Sequence, residues 1–218
     1  MNNFTPSFEN LPATLPIFPL TGVLLLPRGR LPLNVFEPRY LNMVTDALAS
    51  GRMIGLVQPS EANAEAQQSA PAVYPTGCAG RITHFEETED GRFLLSLKGV
   101  TRFAIVEEIS TTRGYRKCVV DWAPFREDLA GPSTSEINRD RLVGAVRNYF
   151  SAKGIEANWE AIEKAEDEYL VTSIAMICPF DPPEKQALLE AIDLTGRSEL
   201  LTTIVEMAAL GTIGDSPQ

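Results

Sequence analysis

The sequence predicts an α+β fold: a small barrel-like β domain over residues 14–125, then an all-helical bundle over residues 133–211, with residues 1–13 and 212–218 as flexible tails. Two observations predict it. Up to Phe125, apolar residues alternate with polar ones in short runs punctuated by proline, glycine and turn pairs. After Ser133 they recur at helical spacing instead. A chain of 218 residues has room for one or two domains, and 44% hydrophobic with 22% charged residues fits a folded globular chain.

The first elements are set by prolines. Residues 15–40, LPIFPLTGVLLLPRGRLPLNVFEPRY, place Pro16, Pro19, Pro27 and Pro32 among apolar side chains. Each proline removes a backbone donor, fixes φ and pushes the residue before it towards extended geometry, so no helix can form there. Residues 15–18 and 30–35 therefore read as short strands with a buried loop between them. Pro38 opens a helix at its first position, where the missing N–H costs nothing. Tyr40, Leu41, Val44, Ala47 and Leu48 carry that helix towards Gly51. Residues 53–57 form an apolar strand, and residues 59–72, PSEANAEAQQSAPA, a polar loop expected to be mobile.

A β-rich stretch follows. Ile82 and His84 alternate with Arg81 and Thr83, Asp90-Gly91 signals a hairpin, and Phe93, Leu95 and Leu97 alternate on the return strand. Gly99 predicts a bend or bulge before Phe103 and Ile105 resume. Arg113-Gly114 turns the chain again, and Cys118, Val120 and Trp122 face inwards on the last strand.

The helical half starts with Ser133 and Glu136 as a capping box, ahead of a stripe of Val143, Val146 and Phe150. Asn158 caps a helix through Trp159 and Ile162. Leu170, Ile174 and Ile177 line the next, which Pro179 stops. Asp181-Pro182-Pro183-Glu184 starts a helix carrying Leu188, Leu189 and Ile192, and Leu200, Ile204 and Met207 line a final one that frays at Gly211.

Net charge is −10 and uneven: residues 1–125 hold 11 basic and 12 acidic side chains, residues 126–218 hold 8 and 17. The acidic second half repels phosphate backbones, so no nucleic acid is expected as a partner. No apolar run approaches a membrane span, and the first residues lack the basic and apolar regions of a signal peptide. Cys78, Cys118 and Cys178 are odd in number and widely spaced, which points to free thiols in a reducing, cytoplasmic setting.

The run closing on Phe36, Glu37, Pro38, Arg39 and Tyr40 resembles the opening of the N-terminal substrate-binding domain of Lon proteases. The resemblance continues in the strand at Gly80, in the hairpin with Asp90, Gly91 and Arg92, and in Gly99, Arg102 and Phe103. The stretch CPFDPPEKQALLEAIDLTGRSELL is similar to the helical part of that family, so the likeness covers roughly residues 14–210. It implies a PUA-like β pseudo-barrel followed by a helical bundle, with those motif residues in structural roles. It also implies a stand-alone, non-catalytic module that binds unfolded or exposed apolar polypeptide segments, or a partner protein. The alternative it leaves is an RNA-binding PUA-like protein.

The chemistry of the residues agrees with a binding role. There is no G-x-x-x-x-G-K-[ST] loop to cradle a triphosphate, and Gly131-Pro132-Ser133 places a serine in a linker without a base beside it. His84 stands alone among acidic residues, and no histidine or cysteine pair has metal-ligand spacing. Glu86-Glu87, Glu107-Glu108 and Glu166-Asp167-Glu168 read as solvated faces. No catalytic residue, cofactor or metal is therefore expected. The expected peptide contacts are apolar: Val23, Leu24, Leu25, Leu26 and Met53, provided they lie on the surface.

Overall fold

Prolines bracket the first two strands. β1 (Thr14–Pro19) and β2 (Arg30–Val35) are extended, and α1 (Pro38–Leu48) begins on Pro38 with Glu37 still in extended geometry before it. The computed structural model describes residues 6–60, 71–131 and 136–214, and the chain divides into two units, Met1–Gly131 and Pro132–Gln218. Strands β3 (Met53–Val57), β4 (Thr76–Glu87), β5 (Phe93–Ile109) and β6 (Arg116–Asp121) complete the first unit, followed by a 3-10 segment, Ala123–Leu129.

The strand order is β2-β5-β4-β3-β1-β6, with β5 also pairing β6. Strands β5, β4, β3, β1 and β6 thus close into a ring, and β2 lies along β5 outside it. β1 runs parallel to β3; the other pairings are antiparallel. The long β5 serves two neighbourhoods: residues 93–98 pair with β2 and residues 104–109 with β6. The register slips between Ala79↔Thr101 and Gly80↔Gly99, leaving Val100 as a bulge that redirects the strand.

Gly99 is needed where the 26–29 loop crosses β5. Its N–H donates to the Gly29 carbonyl at 2.8 Å and its carbonyl accepts from Arg28 N–H at 2.9 Å. A Cβ here would overlap the Leu26 carbonyl oxygen. The predicted bend is therefore a close approach of two backbones.

One core lies inside the ring, where Leu15, Ile17, Ala79, Phe103, Cys118 and Trp122 are buried, with Phe103 and Trp122 edge-on at 5.8 Å. α1 buries Tyr40, Met43, Val44 and Ala47, and Tyr40 meets the Phe18 ring at 4.2 Å.

The second unit holds α2 (Arg139–Lys153), α3 (Trp159–Lys164), α4 (Asp167–Ile177), α5 (Pro182–Glu190) and α6 (Leu194–Gly214). α3 and α5 start where expected. Asn158 accepts from Ala161 N–H, and Asp181 forms a capping box in which its N–H donates to Glu184 Oε2 at 2.9 Å. Other expectations need correction. Ser133 and residues 61–70 of the loop expected at 59–72 lie outside the described residues, as do residues 1–5 and 215–218 of the expected tails. α2 begins at Arg139, capped by Asn138, whose side chain accepts from Arg141 N–H. Its buried face is Leu142, Ala145, Val146, Tyr149 and Phe150, which includes Val146 and Phe150 of the expected stripe, while Val143 at its edge is half-buried. Ile177, Ile192 and Met207 are exposed, Ile192 at 89%. In α6 the apolar residues are too dense to single out one stripe; Leu201, Ile204 and Val205 are buried together with Ser198 and Thr202. The Thr202 hydroxyl donates to the Ser198 carbonyl at 2.7 Å, which makes that burial tolerable.

Candidate functional site

The loop expected to meet peptides is core instead. Leu24, Leu25 and Leu26 are 0–2% exposed and Met53 is buried inside the ring, while Val23 is half-buried. Gln58 holds the loop down: its Nε2 donates to the Val23 carbonyl at 2.6 Å and its Oε1 accepts from Gly22 N–H at 3.0 Å. With Gly80 leaving room for Leu25, the apolar run packs against the sheet. Leu24, Leu25, Leu26 and Met53 therefore offer no contact face, and Val23 is only half-buried.

Phe36 departs from expectation in the opposite sense. The resemblance implies a structural role for it as for Tyr40, yet it is 62% exposed while Tyr40 is buried. It sits at the corner between β2 and α1, where Arg39 Nε donates to Glu37 Oε2 at 3.0 Å and the Arg39 guanidinium lies 4.6 Å over the Tyr40 ring. Arg92 lies 5.8 Å over Phe36.

Arg92 belongs to the β4–β5 hairpin, whose turn is made by Thr88, Asp90 and Gly91 at φ +77°. The Thr88 hydroxyl donates to Asp90, and Arg92 Nε stands 2.8 Å from it; together they hold the Asp90 carboxyl below its ordinary range. Beside the turn Phe85 and Phe93 meet edge-on at 4.9 Å, with Phe85 36% exposed. Cross-strand pairing of Phe85 with Leu95, and of Phe93 with Glu87 and Val35, places these two rings on one face. Glu86, Glu87 and Glu89 are exposed next to them. The outer end of the β2–β5–β4 ribbon thus carries exposed aromatic rings in an acidic setting. The signal in the sequence was the cluster FEETEDGRF itself.

The remaining polar residues have structural surroundings. Arg102 is buried against Asp128, and Phe103 fills the ring. His84 was expected to share the inward alternation of Ile82. The register shifts between Ile82 and His84, so His84 turns out to solvent, 3.9 Å from Glu86. Cys78, Cys118 and Cys178 are free and buried, and burial pushes the Cys118 and Cys178 thiols up to about 11. Among the described residues no three His, Cys, Asp or Glu side chains are grouped to hold a metal ion, and no helix is long and apolar enough to cross a membrane.

Residues 14–207 match the family described as the ATP-dependent protease La (LON) substrate-binding domain. The chain belongs to this family. It is 29% identical over 203 residues to Lon protease 2 of Myxococcus xanthus, covering 90% of this chain and 24% of that protein. Against the Lon protease of Anaeromyxobacter dehalogenans the figures are 26%, 90% and 23%, so the chain spans about a quarter of the length of these relatives. A crystal structure of a Lon N-terminal domain protein from Xanthomonas campestris superposes with a TM-score of 0.61 over 87% of this chain and 97% of that one, at 24% identity. The N-terminal domain of Mycobacterium avium complex Lon protease gives 0.58 at 15% identity. The ring of strands followed by helices is thus the α+β fold of Lon N-terminal domains.

Proposed function

We propose that this chain binds polypeptide segments and does no covalent chemistry with its described residues, the outer end of the β2–β5–β4 ribbon being the contact surface. The observation that carries the site is the exposure of Phe36 and Phe85 there, with Phe93 beside Phe85. Aromatic rings left in water on an ordered ribbon are the kind of anchors that polypeptide-binding surfaces use. The name of the family supports the ligand class. Against catalysis stand the burial of the three thiols and the solvation of His84 and its neighbouring carboxylates. RNA is disfavoured because Glu87 shares the face of the Phe85 and Phe93 rings and Glu86 and Glu89 are exposed on the same ribbon end, all with the charge a phosphate backbone carries.

The test is titration of fluorescein-labelled, reduced and carboxymethylated lactalbumin with the purified chain and with a Phe36→Ser/Phe85→Ser variant. Binding that weakens about tenfold in the variant, at unchanged melting temperature, is the expected result. Equal binding by both proteins overturns the site. Casein cleavage or ATP hydrolysis by the purified chain overturns the non-catalytic reading.

A further inference from the structure

The two margins of the β2–β5–β4 ribbon are not equivalent. At the mouth of the hairpin, Thr88 N–H donates to the Arg92 carbonyl at 2.9 Å. Bonded and non-bonded pairs alternate along an antiparallel ladder, so Glu86 and His84 bond across to Leu94 and Ser96. Phe85 and Glu87 then direct their N–H and C=O groups away from β5. β3 accompanies β4 only along Cys78–Arg81, and the last bond on that side is Ile82 N–H to the Arg52 carbonyl at 2.8 Å. From residue 83 to residue 87 no described strand lies along this margin. On the other side of the ribbon the same alternation turns Pro32 of β2 outward, where its lack of an N–H does no harm to the pairing with β5. A proline blunts that margin; the margin of β4 has no strand beside it among the described residues.

We infer that residues 83–87 of β4 receive an extended polypeptide segment as an added strand, and that they favour segments alternating apolar residues with lysine or arginine. This rests on the polypeptide-binding reading above and gives it a mode and a preference. The outward N–H and C=O groups of Phe85 and Glu87 can pair with any backbone, which suits a site that must accept many sequences. Phe85 and Phe93 supply an apolar strip on one face. Glu86 and Glu89 are exposed carboxylates along the same margin, Glu86 on the face opposite the rings with His84 3.9 Å away, and Glu87 is exposed on the ring face itself, whereas Asp90 is engaged by Thr88 and Arg92. The charge selects the occupant. A second copy of this chain paired edge to edge would set these carboxylates against their own kind, which is unfavourable across a strand pair, while a basic segment is attracted.

The experiment is fluorescence anisotropy with the purified full chain and three labelled ten-residue peptides. The first alternates valine and lysine, the second carries the same side chains on an N-methylated backbone, and the third replaces lysine with glutamate. The expected result is that the second and third bind at least about tenfold more weakly than the first. Glu86→Lys/Glu87→Lys should reverse the preference between the first and third, and Glu87→Pro, which removes an outward N–H, should weaken the first. Equal binding of the N-methylated peptide overturns strand addition while leaving polypeptide binding intact. Equal binding of the glutamate peptide overturns the charge preference. A concentration-dependent dimer abolished by Glu87→Pro makes the occupant a second copy and overturns the assignment. If neither the peptides nor unfolded lactalbumin bind, the underlying reading falls too.

Discussion

Arg102 and Asp128 form a buried, two-pronged ion pair that ties the longest strand of the ring to the 3-10 segment after the last one. Arg102 Nε and Nη2 donate to Asp128 Oδ2 and Oδ1 at 2.9 and 2.8 Å, and the Arg102 backbone N–H adds a third bond at 2.9 Å. The Phe125 ring lies 4.8 Å from the guanidinium, and Arg28 donates to the Asp128 carbonyl at 2.9 Å. Residues 123–129 are thereby part of the β domain, which the sequence placed no further than Phe125.

Removing one partner of such a pair strands the other charge in the interior. Asp128→Ala should cost about 3–5 kcal/mol, whereas Arg102→Met with Asp128→Leu should retain most of the stability. Urea unfolding of the three proteins checks this. A loss below about 1 kcal/mol in Asp128→Ala would mean that the pair behaves as a solvated one.

Two glycines should respond in opposite directions to the same substitution. Gly99→Ala drives a methyl into the Leu26 carbonyl and should destabilise by about 1–3 kcal/mol. Gly144 lies within α2 with nothing near its would-be Cβ, and Gly144→Ala should stabilise by about 1 kcal/mol through lower backbone entropy in the unfolded chain. Denaturant midpoints decide both.

The Cys118 thiol gives a pH signature. Burial raises its pKa to about 11, above the value of about 8.5 in an unfolded chain. The folded state then holds the proton more tightly, so this contribution to stability is complete below about pH 8.5 and declines as pH rises towards 11. Chemical denaturation between pH 7 and 10.5 should show a shallower decline in Cys118→Ala than in the parent chain. In the native state near pH 8 the three buried thiols should react with Ellman's reagent far more slowly than after unfolding.

Phe36 and Tyr40, four residues apart, should separate binding from stability. Phe36→Ala should change stability by no more than about 0.5 kcal/mol, because the ring is exposed. Tyr40→Ala empties a buried site against Phe18 and should cost about 3 kcal/mol or more. Thermal melts of the two variants, read alongside lactalbumin binding, test the contrast.

Local chemistry made much of the fold legible. Prolines set β1, β2 and the start of α1, Asp90-Gly91 set the hairpin, and Asn158 and Asp181 set two helix starts. In each case the cause lies within a few residues of its effect. The helix faces were less legible: α6 is apolar at so many positions that several stripes fit, and the packing of its neighbours selects one.

By itself, then, the sequence determined the family and the division into a β part and a helical part. Only the tertiary structure decided which apolar residues face water. Leu24, Leu25 and Leu26 are as hydrophobic as any contact surface, but Gln58 and Gly80, distant in sequence, bring them inside. Phe36 and Phe85 carry core-like side chains, yet a corner and a ribbon end leave them outside. Nothing around Asp128 in the sequence marks it as buried; Arg102, 26 residues earlier, closes over it. Burial is a property of long-range pairing, and a one-residue register shift such as that before His84 is enough to reverse it.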